Sequence, residues 1–90
     1  MRKIIVFVVD GCSACEEYKP RFYNIMKSNS IPSKVVNLLK TTDDMKQIAK
    51  AFDVYAFPTT VVINDDVAQV IEGNVSEERI LNAIKVVFKK

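Results

Sequence analysis

Ile4-Ile5-Val6-Phe7-Val8-Val9 is an unbroken apolar run, β-branched or aromatic at every position, that stops at Asp10-Gly11. A strand of this kind leaves neither face for water, so it is expected to lie at the centre of a sheet and be covered on both sides. The rest of the chain has to supply that cover. With 90 residues, 49% hydrophobic and 27% charged, the balance is that of a soluble globular chain, and one domain spanning 1–90 is expected. Three Pro and two Gly leave no linker-like tract.

Downstream, Ala14, Tyr18, Phe22, Ile25 and Met26 recur at helical spacing and predict a helix from Ser13 to about Asn29. Pro20 falls inside it, where it removes a backbone hydrogen bond and is expected to bend the helix, at an intrinsic cost of about 3 kcal/mol. After Ile31-Pro32-Ser33, the run from Lys34 to Leu39 predicts a second strand, parallel to the first because a helix lies between them. Thr41 and Asp44 have capping-box spacing ahead of Met45, Ile48, Ala49 and Phe52, which repeat at i, i+3, i+4 and i+7. Two further strands, Thr59 to Ile63 and Val67 to Ile71, flank a three-residue turn at Asn64-Asp65-Asp66 and predict an antiparallel hairpin. Ser76 then caps a last helix, with Glu77 and Glu78 at its start, Ile80, Ile84, Val87 and Phe88 facing inward, and Lys89 and Lys90 at its end. The expected fold is α/β, in the order β-α-β-α-β-β-α.

Thirteen Lys and Arg stand against eleven Asp and Glu, and the net charge of +2 is interleaved rather than gathered. That pattern argues against nucleic acid as a partner. The opening Met1-Arg2-Lys3 and its apolar run make a poor export signal, because Asp10 interrupts them early and no small-residue cleavage pattern follows. Nor does any segment approach the eighteen or so apolar residues of a membrane span. No membrane association and a cytoplasmic location are the expectations.

Reactive side chains concentrate in one place: Gly11-Cys12-Ser13-Ala14-Cys15, directly after a buried strand and at a helix start. Unpaired backbone N–H groups and the positive end of the helix dipole stabilise a thiolate there, so the Cys12 pKa is expected to fall below the free value of about 8.5. Cys15, on the same first turn, is placed to resolve a mixed disulfide formed by Cys12. Three plainer readings compete. A zinc site needs about four ligands, and the chain has no His and no third Cys, so no metal is expected. A purely structural disulfide closes so short a loop that it yields less than the roughly 3 kcal/mol of a fifteen-residue loop, and a cytosol would keep it reduced. Two unrelated buried cysteines are the third reading.

Taken together, these residues resemble a small member of the thioredoxin superfamily, of the size of glutaredoxins and the shortest thioredoxins. Cys12-Ser13-Ala14-Cys15 is similar to its C-x-x-C motif, and Pro20 to its helix-kinking proline. Phe57-Pro58-Thr59 matches the cis-proline segment, and Gly73 ahead of Ser76-Glu77-Glu78 matches the glycine and last helix. The resemblance implies a thioredoxin-like fold with a four-stranded mixed central sheet and three helices. It also implies a dithiol-disulfide oxidoreductase that reduces protein disulfides, with Cys12 as nucleophile, Cys15 as resolving thiol, and Phe57, Pro58 and Gly73 binding substrate. Gly11, Ser13, Ala14, Pro20 and Thr59 would support the motif. A cis bond at Pro58 would leave the Phe57 backbone free to pair with an extended substrate segment, and Tyr55, Ala56 and Phe57 would offer it an apolar surface.

The pattern also departs from the family. Gly11 stands where thioredoxins usually carry Trp, and Val6 where they bury an Asp, so no carboxylate from that strand can take the resolving thiol's proton. Asp10, Glu16 and Glu17 are read as solvated charge. The glutathione grip of glutaredoxins, a Thr-Val-Pro segment and a Gly-Gly-x-Asp loop, is replaced by Ala56-Phe57-Pro58 and Glu72-Gly73-Asn74-Val75. The expected electron donor is therefore a thioredoxin-reductase-like flavoprotein, with glutathione as the alternative, no prosthetic group, and a monomer as the working form. A thioredoxin-folded binding module, with the cysteines incidental, is the reading from another class.

Overall fold

The computed structural model describes residues 2–89. The elements are β1 Arg2–Val8, α1 Ser13–Asn29, β2 Ser33–Asn37, α2 Asp43–Ala51, β3 Thr59–Asn64, β4 Val67–Glu72 and α3 Glu77–Val87. They form one four-stranded mixed sheet in the order β2-β1-β3-β4, with β1 parallel to β2 and antiparallel to β3, and β4 antiparallel to β3. The element order and the sheet are those the sequence implies.

Alternation along β1 explains why its whole run is apolar. Ile4, Val6 and Val8 pack with Val62, Ile71 and the inner faces of α1 and α3. Ile5 and Phe7 point the other way, into a second cluster with Val36, Val61 and Ala49 of α2. None of the five side chains is more than 4% exposed, and burial of each stabilises the fold by roughly 1.5–3 kcal/mol.

Some boundaries differ from the expectation. β2 ends at Asn37, because the Asn37 side chain accepts from Leu39 N at 3.0 Å and its carbonyl accepts from Lys40 N at 2.9 Å, which turns the chain and leaves Leu39 exposed. The cap of α2 is Thr42, whose hydroxyl accepts from Met45 N at 3.3 Å, rather than Thr41. The β3–β4 turn is two residues long, since Asn64 pairs with Val67 and Asp65 adopts φ +56. Ser76 caps α3 as expected. The basic residue in the last turn of α3 is Lys85; Lys89 lies past the cap residue Phe88, and Lys90 falls outside the described residues. α1 runs through Pro20 as one 17-residue helix, and Pro20 itself is exposed.

Candidate active site

The turn that leaves β1 sets the site. Gly11 has φ +78, a conformation that carries strain for any residue with a Cβ, although no atom lies within 4 Å of where that Cβ would sit. Backbone geometry, not crowding, therefore accounts for glycine where thioredoxins usually carry Trp. Cys12 follows in extended conformation as the N-cap of α1, and its Sγ accepts from Cys15 N at 3.1 Å. The two cysteines are joined as a disulfide, with their Cα atoms 5.2 Å apart. Cys12 is half-buried, whereas Cys15 has no exposed surface. Ser13 is exposed and Ala14 half-buried on the first turn.

Two other segments are tied to this turn, residues 56–59 and Gly73. Phe57 O lies 3.7 Å from Cys12 Sγ; in the disulfide state the sulfur has no proton to donate, so this is a contact, and a thiol there gains an acceptor on reduction. The Phe57–Pro58 bond is cis. Pro58 is buried, and its carbonyl accepts from Gly73 N at 2.7 Å, with Gly73 at φ +96. Thr59, fully buried, donates its hydroxyl to Ala56 O at 2.5 Å and so holds the segment from within. The structure thus gathers Gly11, Cys12, Cys15, Phe57, Pro58, Thr59 and Gly73 through direct contacts or short bonds. Pro20 stands apart, two turns along α1. The expected apolar surface is only partly present: Tyr55 is 80% exposed and Ala56 is exposed, but Phe57 packs against both core clusters.

The nearby carboxylates are engaged elsewhere. Asp10 accepts from Asn37 Nδ2 at 2.7 Å and pairs with Lys40 Nζ at 3.5 Å. Glu16 pairs with Lys19 at 3.1 Å, and Glu17 accepts from Asn74 Nδ2 at 2.7 Å. All three side with solvent, as the sequence suggests.

Two arrangements escape sequence reading. Arg21 donates to Asn74 Oδ1 at 2.6 Å and to Val75 O at 2.9 Å, so α1 clasps the loop that carries Gly73. Partners more than fifty positions apart leave no local pattern. The second is a buried hydroxyl pair, Tyr18 Oη to Thr60 Oγ1 at 2.6 Å, both residues fully buried. Thr60 is the register partner of Val6, so the pair lies on the sheet face where the family resemblance leads one to expect a carboxylate. Burial pushes the Tyr18 hydroxyl above its usual pKa, against weaker opposite pulls from the Thr60 hydrogen bond and the Arg21 charge. A tyrosine so held stays neutral and is no substitute for an aspartate base.

With the paired cysteines at the helix cap and the cis-proline segment against them, comparison with known proteins becomes decisive. A family model for the thioredoxin domain matches residues 2–85. This chain belongs to the thioredoxin domain family. Its structure is similar to that of thioredoxin 1 from Thermosipho africanus, at 22% identity and a TM-score of 0.77, over 97% of this chain and 94% of that one. Fasciola hepatica thioredoxin aligns at 20% identity with a TM-score of 0.78, over 94% of this chain and 79% of that one. Oxidised mitochondrial thioredoxin 3 of Saccharomyces cerevisiae aligns at 22% identity with a TM-score of 0.76, over 96% and 78%. At such identities the likeness is one of fold. No curated protein sequence matches the chain. As a thioredoxin domain the molecule has the C-x-x-C pair in its usual place, while Val6 and Gly11 set it apart from the commoner pattern. Among the described residues no cluster of three or more His, Cys, Asp or Glu is placed to hold a metal ion.

Proposed function

We propose that this thioredoxin-domain protein is a dithiol-disulfide oxidoreductase that reduces protein disulfides, with Cys12 as attacking sulfur and Cys15 as resolving thiol. One observation carries the reading: Cys12 Sγ, at the cap of a 17-residue helix and only half-buried, accepts a backbone N–H bond at 3.1 Å while its partner Cys15 is sealed in the core. The bond and the helix dipole favour negative charge on that sulfur, and its exposure lets a substrate reach it.

In the forward reaction the Cys12 thiolate attacks one sulfur of the substrate disulfide. The substrate S–S bond breaks, a Cys12–substrate disulfide forms, and the first substrate thiolate leaves with the electron pair and takes a proton from water. Cys15 then attacks Cys12 Sγ, the Cys12–substrate bond breaks, and the second substrate sulfur leaves with the electron pair and the proton that Cys15 gives up. Two electrons have passed from the dithiol to the substrate, leaving Cys12–Cys15 oxidised. The chain needs an external dithiol to regain them. A thioredoxin-reductase-like flavoprotein suits this role better than glutathione, because Asn74, in the loop where glutaredoxins grip glutathione, is bound to Arg21 and Glu17. A reducing cytoplasm and a monomer acting alone complete the reading.

Insulin-type disulfide reduction tests it. Cys12→Ser is expected to abolish turnover, and Cys15→Ser to trap a mixed disulfide with the substrate. Full activity in either variant removes the roles assigned to these cysteines. Comparing electrons from thioredoxin reductase with electrons from glutathione and its reductase separates the two donors. Unaltered partner capture by the double Cys→Ser variant would favour the binding-module reading.

A further inference from the structure

A groove of about 480 Å³ runs between the end of β2, α2 and the segment that follows α2, with Leu38, Ala49, Val54 and Tyr55 in its lining. Two backbone links tie it to the site. Tyr55 is two residues from Phe57, whose carbonyl touches Cys12 Sγ, and Leu38 N donates to Val8 O, at the end of the strand that delivers Cys12. An extended segment covers about 3.3 Å per residue, so a polypeptide whose disulfide sits on Cys12 reaches the groove within a few residues.

The rim is charged in one sense. Lys46 and Lys50 stand one helical turn apart on α2, both exposed and both lining the groove. Like charges at this spacing repel and weaken an isolated helix. Neither lysine has an ion-pair partner among the described residues, although Asp43 and Asp53 stand three positions from Lys46 and Lys50. Asp53 also lines the groove, accepting from Tyr55 Oη at 3.4 Å, so the rim carries two cations against one anion. Tyr55 is 80% exposed, and among the described residues its hydroxyl has this one long hydrogen bond.

From this apolar lining and unpaired cationic rim we infer that the groove reads the sequence beside the substrate disulfide, and that its occupant is an extended protein segment with an apolar residue over Leu38 and Val54 and acidic residues facing Lys46 and Lys50. The inference rests on the oxidoreductase reading and names its substrate class. Charge complementarity of this exposed sort acts chiefly on capture, so it belongs in kcat/KM and weakens with salt.

The test uses two disulfide-bonded peptides, identical except for Glu or Lys at the positions flanking one cysteine, and hydroxyethyl disulfide, which is uncharged and too short to reach the groove. The intact protein is expected to favour the Glu peptide roughly tenfold in kcat/KM, a factor that corresponds to about 1.4 kcal/mol. Lys46→Gln/Lys50→Gln should abolish the preference and Lys46→Glu/Lys50→Glu invert it, with hydroxyethyl disulfide turnover unchanged. Binding of the two peptides, with serine in place of their cysteines, to the Cys12→Ser/Cys15→Ser protein is measured in parallel and should show the same preference without any chemistry. Equal binding of both peptides overturns the groove assignment even where turnover persists. A binding preference that survives while Cys12→Ser retains turnover overturns the redox roles and leaves the groove standing. Loss of glutathione disulfide turnover in the charge-reversed variant, with the Glu peptide unaffected, would assign the lysines to a small anionic thiol and overturn the proposal.

Discussion

The amide of Gly73 donates to the carbonyl of Pro58 at 2.7 Å, joining the end of β4 to the segment that touches Cys12. Gly73 makes this bond from φ +96, while a Cβ built on it would meet nothing within 4 Å. Gly73→Ala therefore tests backbone conformation alone. It is expected to destabilise the protein by about 1–2 kcal/mol in urea unfolding, and to lower turnover because the chain relaxes by moving the amide away from Pro58. An Ala variant as stable and as active as the parent would show that the loop tolerates another conformation.

The Tyr18–Thr60 pair gives a prediction in two parts. Tyr18→Phe strands a buried Thr60 hydroxyl, which costs about 1–3 kcal/mol, whereas Tyr18→Phe/Thr60→Val removes both polar groups and is expected to recover much of the loss. Unfolding midpoints of the two single variants and the double variant give the coupling directly.

The same pair also sets a pH dependence. The folded Tyr18 pKa lies above the ordinary value of 10.0, chiefly through desolvation, so between the unfolded and the folded pKa the native state holds a proton that the unfolded chain has lost. By linkage this contribution is fully present below pH 10 and disappears as pH rises through the folded pKa. Absorbance titration should show a tyrosinate step above pH 10 that Tyr18→Phe eliminates, with stability falling less steeply in that range for the variant.

How far the sequence reveals the molecule follows from the range of the forces involved. The apolar run of β1, the helical spacing of α1 and the Ser76 cap are local, and the structure places them where the residues say. Cys12, Cys15 and Pro58 are legible because a short motif and a resemblance point to them. What hides is non-local. The Arg21–Asn74 clasp, the Tyr18–Thr60 pair and the lysine-rimmed groove join residues from separate elements, and nothing about Arg21 or Thr60 in sequence marks a partner. Boundaries fail for another reason: neighbouring candidates compete at small differences in energy. Thr41 and Thr42 are both good caps by composition, and the tight turn imposed by Asn37 decides between them.

That competition is itself measurable. Thr42→Ala removes the hydroxyl that accepts from Met45 N, at an expected cost of about 1 kcal/mol. Thr41→Ala is expected to change stability by less than about 0.5 kcal/mol, in the range of surface substitutions. Comparable losses at both positions in chemical denaturation would mean that the cap moves between the two threonines.

The difference in exposure between the paired cysteines predicts an order of chemical events. In the disulfide form Cys12 Sγ accepts the N–H bond from Cys15 and the residue is half-buried, while Cys15, with no exposed surface, belongs to the core cluster of Val6, Tyr18 and Phe22, and reduction is expected to keep this arrangement. Alkylation needs both a thiolate and an open approach, so iodoacetamide at neutral pH should modify Cys12 first and Cys15 at least tenfold more slowly, a ratio equivalent to about 1.4 kcal/mol between the two barriers. Mass spectrometry of peptides sampled over time gives the two rates separately. In Cys12→Ser the Cys15 rate should stay low, because the core still covers it. Modification of Cys15 as fast as Cys12 in the parent protein would mean that the helix start opens on reduction, and the attacking role would then belong to either sulfur.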